Sequence, residues 1–306
     1  MSRLVLVTGG AGFIGSHVCE ALVARDVRVR VLDDFSTGNA ANLARIWREV
    51  EVVEGSIESP DAVRRAVSGA TEIVHLAARS SVAESLGARE LYERVNIRGT
   101  RTLLEAAMAA QVRRIVFAAS SSAYGDHPAP HEESLEPRPM SPYASTKVEG
   151  ERMLRELCET GGVDGVSMRF FNVYGPRQDP NSAYAAVIAR FMARIAGNQS
   201  VTVFGDGLQT RDFIHVTDTA EAVIAALETP RRLDGVVVNI GTGRAVSILT
   251  LARLGGAVLG VRTTVEHQPA RDGEVRDSVA ATSRAAELLG FRARIRLENG
   301  LGEICR

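Results

Sequence analysis

The passage from the N-terminal apolar run into a glycine-rich turn and then a helix constrains this fold more than any other feature of the chain. Leu4 to Val7 is apolar throughout, Thr8 leads into Gly9-Gly10-Ala11-Gly12-Phe13-Ile14-Gly15, and the amphipathic segment Ile14 to Ala24 follows at once. A strand with no polar face must be covered on both sides. The pattern recurs at Arg28 to Leu32, Ile73 to Leu76, Thr100 to Ala110 and Arg114 to Ala118. Short strands alternating with longer helices predict an α/β protein: a Rossmann-type, doubly wound parallel sheet with helices on both faces.

After Phe171 the character changes. Tyr174-Gly175-Pro176-Arg177-Gln178-Asp179-Pro180 and Phe204-Gly205-Asp206-Gly207 are turn signals, with a helix expected over Tyr184 to Ala196 and a strand over Ser200 to Phe204. The buried pattern returns at His215 to Ala226 and Val236 to Ile240. A smaller, partly inserted C-terminal substrate domain is therefore expected. The division is 1–171 plus about 215–245 for the sheet domain, and about 172–214 plus 246–306 for the smaller one.

The 306 residues are 45% hydrophobic, enough for a large core. With a formal net charge of -1 there is no overall basic excess, which argues against nucleic acid or an anionic membrane surface as partner. An anionic ligand must then be held by local positive charge. Met1-Ser2-Arg3 runs straight into the first strand, without the architecture of a signal peptide, and no later run is long enough to span a bilayer. A cytoplasmic location is expected. Cys19, Cys158 and Cys305 are scattered and lack His or Cys neighbours at metal spacing, so neither a disulfide framework nor a metal site is expected.

Gly9, Gly12 and Gly15 stand where a strand becomes a helix. Glycines there let the backbone approach a pyrophosphate, and the positive end of the helix attracts its charge. Asp33 ends the second strand about 20 residues beyond the turn, where a carboxylate accepts from the ribose hydroxyls of an adenosine. Asp34 follows it. Two adjacent carboxylates repel a 2′-phosphate, which predicts NAD rather than NADP; Asp34 fits a solvated turn equally well.

Ser120-Ser121-Ser122 follows the strand beginning at Arg114, and Tyr143-Ala144-Ser145-Thr146-Lys147 opens a helix after Pro142. Tyr143 and Lys147 are one helical turn apart and share a face. An ammonium beside a phenol favours the phenolate, and a positive nicotinamide ring adds to the effect, so Tyr143 is expected to act as general base. Lys147 is also expected to hold the nicotinamide ribose.

The G-x-x-G-x-x-G spacing resembles the short-chain dehydrogenase/reductase superfamily. Further matches narrow the resemblance: Arg169-Phe170-Phe171-Asn172-Val173-Tyr174-Gly175-Pro176-Arg177, Gly205-Asp206-Gly207 to Arg211-Asp212-Phe213-Ile214-His215-Val216, Asn239-Ile240-Gly241-Thr242-Gly243, and Arg271-Asp272-Gly273-Glu274. With these the chain resembles the extended, NAD-dependent nucleotide-sugar epimerases of the UDP-glucose 4-epimerase group along nearly its whole length.

That resemblance implies the site residues. Counting four residues back from the tyrosine of Ala123-Tyr124-Gly125 makes Ser120 the catalytic hydroxyl beside Tyr143 and Lys147. Cofactor contacts are implied for Phe13, Ile14, Ser36, Thr37, Gly38, Ser56, Ile57, Leu76, Ala77, Ala78, Asn96, Ala118 and Phe170, together with the glycines, Asp33 and Asp34. Substrate contacts are implied for Ser81, Ser120, Ser121, Ser122, Tyr143, Asn172, Val187, Phe204, Gln209, Arg211, Arg271, Glu274 and Ser278. Arg211 and Arg271 would pair with the diphosphate, Phe204 would lie near the base and Glu274 near its ribose.

Dehydratases of this kind carry an acid pair where this chain has Ser121 and Ser122, which argues against water elimination; the two serines also fit polar caps at a strand end. The expected activity is 4-epimerisation of a UDP-hexose, UDP-glucose and UDP-galactose. The small Ser278 implies room for the N-acetyl group of UDP-GlcNAc and UDP-GalNAc. A UDP-glucuronate 4-epimerase or decarboxylase, and a non-catalytic NAD-binding module, remain as alternatives. Departures from the pattern fall at Ser56, Asp272 and Ala281, and the chain stops soon after Leu301. Surplus apolar residues on Arg89 to Ala110 and Ser141 to Glu159 match helices that form a dimer interface in similar proteins, so a homodimer is expected.

Overall fold

The computed structural model describes residues 3–179, 187–270 and 275–304. Its centre is a parallel sheet containing β1 (Leu4–Thr8), β2 (Arg28–Asp33), β3 (Val50–Glu54), β4 (Glu72–His75), β5 (Arg114–Ser120) and β6 (Asp164–Phe170). The strand Val236–Ile240 completes it beyond β6, giving the order Val236–Ile240, β6, β5, β4, β1, β2, β3. β1 is buried along its whole length, as its unbroken apolar run requires.

Helices cover both faces. Against one lie α1 (Phe13–Val23) and the helix Val216–Glu228, enclosing Val5, Val7, Val18, Leu22, Val166 and Val223. Against the other lie α2 (Pro60–Val67), Thr100–Ala109 and Pro142–Glu159, enclosing Leu6, Leu32, Val63, Leu103, Ile115 and Leu154. Ser141 caps the last of these by accepting from the Ala144 N–H, and Pro142 occupies its first turn, where no amide donor is needed.

The expected continuous helix Arg89 to Ala110 is not continuous. Arg89–Tyr92 is α-helical, Glu93–Gly99 is wound as a π-helix, and the α-helix resumes at Thr100. Apolar periodicity sets which face is buried but is blind to one extra residue per turn, so this departure left no trace in the pattern.

All the sheet strands run the same way, so their carboxyl ends, at Thr8, Asp33, His75, Ser120 and Phe170, lie along one edge. The chain leaves β1 toward β2 on one side and meets β4 on the other. A crevice opens at such a reversal.

The smaller region uses short strands. Asn172–Tyr174 pairs with Phe213–His215, Val201–Phe204 with Val265–Gln268, and Thr210–Arg211 lies between Val246–Ser247 and Asp277–Ser278. Its core gathers Tyr174, Ile188, Phe191, Met192, Val203 and Leu251. Of the helix expected over Tyr184 to Ala196, the described part, Val187–Ala196, is helical; residues 180–186 lie outside the described residues, as does the motif Arg271 to Glu274.

Candidate active site

A cleft of about 450 Å³ runs along the carboxyl edge of the sheet. Gly9, Gly12, Phe13, Ile14 and Gly15 form one end. Gly9 has a φ of +70°, and a Cβ there would stand 2.8 Å from the Ala77 backbone nitrogen. A Cβ on Gly15 would run into the Gly9 carbonyl oxygen. The turn thus closes tightly against β4 while the first-turn amides of α1, with no carbonyl one turn earlier, remain for a ligand.

Asp33, Asp34, Ser36, Thr37 and Gly38 continue the wall, with Ser56 and Ile57 beside them. The Asp33 carboxylate accepts from the Ala11 N–H at 2.8 Å and the Phe35 N–H at 2.9 Å, which holds it at the cleft edge. Burial pushes its pKa up and these two amides pull it back. A diphosphate at the helix end and hydroxyls at Asp33 suit these residues, so the chain's own groups fit a dinucleotide.

Further along, Leu76, Ala77, Ala78 and Ala118 line the floor, with Ser120, Ser121, Tyr143, Lys147, Phe170 and Asn172 around the far end. Ser120 ends β5 in register with Phe170 of β6, and Tyr143 and Lys147 rise from the Pro142–Glu159 helix. Lys147 Nζ donates to the Ala118 carbonyl at 2.8 Å and lies 5.9 Å from the centre of the Tyr143 ring.

The electrostatics differ from the expectation for this pair. Burial raises the Tyr143 pKa above the ordinary phenol value, and the opposing pull comes from the Ser120 hydroxyl rather than from Lys147. Burial also brings Lys147 down to about 8, with Glu151 pulling the other way. Spacing along a helix placed the two on one face. It did not reveal that both sit in a low-dielectric interior, where loss of hydration outweighs the ammonium's attraction.

Asn96 does not line the cleft. It is buried on the π-helix, where its Oδ1 accepts from the Arg79 N–H at 2.8 Å and its Nδ2 donates to the Arg79 carbonyl at 2.9 Å and to Thr146 Oγ1 at 3.0 Å. It ties the loop after β4 to the helix Pro142–Glu159. Behind it, His75 lies between Thr8 Oγ1 at 2.7 Å and Thr100 Oγ1 at 2.9 Å, and burial drives its pKa down to about 3. That imidazole is neutral and structural.

Other expected contacts lie away from this cleft. Ser81 caps the helix Val82–Gly87 through the Glu84 N–H, and Ser122 stands behind Ser120. Val187, Phe204, Gln209, Arg211 and Ser278 belong to the smaller region: Gln209 Nε2 donates to the Phe204 carbonyl at 3.0 Å, and Ser278 pairs in register with Arg211. Arg271 and Glu274 lie outside the described residues.

Sequence reasoning missed Leu32, Gly55, Arg79, Ser80, Val95, Ala119, Phe171 and Val173, all on the cleft wall. Arg79 and Ser80 directly follow the Ala77-Ala78 strand end, and Phe171 and Val173 flank Phe170 and Asn172. Extending these two motifs by their neighbours would have found Arg79, Ser80, Phe171 and Val173. Arg79 is ion-paired with Glu84, which also accepts from the Tyr92 hydroxyl at 2.8 Å.

A family model, the NAD dependent epimerase/dehydratase family, matches residues 5–241. The UDP-glucose 4-epimerase of Mycolicibacterium smegmatis is 36% identical over 97% of this chain and 96% of its own. Among solved structures, the UDP-N-acetylglucosamine 4-epimerase of Methanobrevibacter ruminantium, in complex with UDP-N-acetylmuramic acid, is 34% identical with a TM-score of 0.93, covering 99% of this chain and 96% of that one. The UDP-glucose 4-epimerase of Thermus thermophilus, in complex with NAD, is 34% identical with a TM-score of 0.89, covering 98% and 97%.

Proposed function

The chain belongs to the NAD dependent epimerase/dehydratase family, and from that premise we propose that it inverts carbon 4 of a UDP-hexose through a 4-keto sugar. One observation carries the reading. Ser120, Tyr143 and Lys147 meet at the far end of the cleft whose other end is the glycine turn, and the positions after Ser120 hold Ser121 and Ser122, not the acid pair that water elimination needs.

NAD, when bound, would supply the hydride acceptor and donor for carbon 4. Gly9, Gly12 and Gly15 would admit its diphosphate, Asp33 its adenosine ribose, and Tyr143 and Lys147 its nicotinamide end. The Tyr143 phenolate, accepting from the Ser120 hydroxyl, takes the proton of the sugar 4-hydroxyl and, as the phenol, later gives one back. Arg211 and Arg271 would anchor the diphosphate of the sugar nucleotide while the keto sugar turns its other face.

UDP-glucose and UDP-galactose are the proposed substrates, with UDP-GlcNAc and UDP-GalNAc accepted because Ser278 is small where it stands beside Arg211. The name of the Methanobrevibacter relative supports the N-acetylated pair. A second reading, action on UDP-glucuronate, would need Arg79, on the cleft wall, to exchange its ion pair with Glu84 for a sugar carboxylate. A non-catalytic NAD-binding module would need the glycine turn but not the serine, tyrosine and lysine together.

Incubation with UDP-glucose, UDP-GlcNAc and UDP-glucuronate, with product analysis, tests the proposal. A 4-epimer of either of the first two supports it. Conversion of UDP-glucuronate alone selects the second reading, and no product from any of them leaves the binding module.

The two-domain division and a cytoplasmic site of action belong to the same proposal; no described helix is long and apolar enough to cross a membrane. So does a homodimer. Its support is a groove between the helices Thr100–Ala109 and Pro142–Glu159, where Leu104, Met108, Met153 and Leu157 are flanked by Arg101, Glu105, Arg152 and Glu156, with Met108 52% exposed.

A further inference from the structure

We propose that Ser122 is a positioning residue that fixes the direction of the Ser120 hydroxyl and commits it to donating toward Tyr143, an inference that rests on the epimerase reading above. The sequence alone suggested Ser122 as a sugar contact. In the structure it stands one layer back: Ser120 and Ser121 line the cleft and Ser122 does not.

Ser120 caps the 3-10 turn Ser121–Tyr124. Its Oγ accepts from the Ser122 hydroxyl at 2.8 Å and from the Ser122 backbone N–H at 3.2 Å. A hydroxyl oxygen offers two acceptor positions and one proton. Both acceptor positions are filled from Ser122, so Ser120 is left with its proton alone, on the cleft wall beside Tyr143. Without the Ser122 hydroxyl one position reopens, and the Ser120 rotor can accept from a protonated phenol, which would favour the wrong charge state.

The other groups facing the phenol are occupied elsewhere. Lys147, on the same helix, donates to the Ala118 carbonyl. Tyr92, from the helix Arg89–Tyr92, meets the Tyr143 ring edge to face at 6.3 Å and 86°. Its hydroxyl is engaged by the Ser81 carbonyl and Glu84, and Glu84 is ion-paired with Arg79. Against the rise that burial imposes on Tyr143, Ser120 is the group that acts in the opposite direction.

The test is a pH titration of phenolate absorbance in the NAD-loaded protein, with Tyr143→Phe used to identify the Tyr143 transition, read alongside steady-state kinetics on UDP-glucose and UDP-GlcNAc. Ser122→Ala should move that transition to higher pH. It should lower kcat at neutral pH about tenfold and leave KM within about twofold. Ser122→Thr, which keeps the hydroxyl, should restore both.

An unmoved transition overturns the proposal, as does a rise in KM with the transition in place, which is the signature of a direct sugar contact. If the alanine variant does not fold, Ser122→Thr and Ser122→Val, which share a shape and differ in the hydroxyl, give the same contrast. The titration needs no sugar. A shifted transition in a protein that epimerises nothing would therefore uphold Ser122 and sink the epimerase reading.

Discussion

Glu151 and Arg169 close a two-pronged ion pair at the helix Pro142–Glu159, with Nε to Oε1 at 2.8 Å and Nη2 to Oε2 at 2.7 Å, and they are 3% and 2% exposed. The guanidinium also covers the Tyr124 ring at 4.5 Å, and the Tyr124 hydroxyl donates to Asn239 Oδ1 at 2.5 Å. This interior network joins the helix that carries Tyr143 to the turn that carries Ser120, through β6 and the strand Val236–Ile240.

Breaking that pair from one side strands a charge in the interior. Glu151→Ala should lose about 3 to 5 kcal/mol of stability, measured by urea unfolding. The double change Glu151→Leu with Arg169→Met, which removes both charges, should lose much less. Equal losses in the single and double variants would show that the pair's charge is not the reason for its position.

Tyr143→Phe keeps the ring and its contact with Tyr92 but removes the acid-base group. Turnover should fall at least about a hundredfold, while the purified protein still carries dinucleotide, visible by its release on denaturation. Activity near the parent value would place the base elsewhere.

Lys147 carries a stability cost with a definite pH signature. Its pKa is 10.5 in the ordinary state and about 8 when folded. Below pH 8 both states hold the proton and the folded protein bears the full cost; between 8 and 10.5 the unfolded chain holds more protons, so this contribution makes stability rise with pH. Lys147→Met, in protein freed of dinucleotide, should be more stable than the parent at neutral pH by on the order of 1 to 2 kcal/mol, the lost bond to Ala118 taken into account. The gap should close as pH rises through that window. A variant less stable than the parent at neutral pH would contradict this.

Ser278→Tyr should reduce kcat/KM for UDP-GlcNAc relative to UDP-glucose by about tenfold or more, because a ring cannot share the space expected for the N-acetyl group. Side-by-side initial rates on the two sugars check it. An unchanged ratio would remove Ser278 from the specificity of the site.

Local pattern in the sequence determined the parallel sheet, the glycine turn at the end of its first strand, Asp33 at its strand end, and Tyr143 with Lys147 on one helix face. Each depends on residues within a few turns of one another, where strand and helix periods dictate geometry. Only the tertiary structure decided that Glu93–Gly99 is wound as a π-helix, that Asn96 clamps a loop and does not line the cleft, that burial raises Tyr143, and that Arg79 reaches the wall. These follow from contacts between distant segments and from exclusion of water. Asn96 meets Thr146 and Glu151 meets Arg169 only because the packed elements put them side by side, and the local sequence carries no record of that packing.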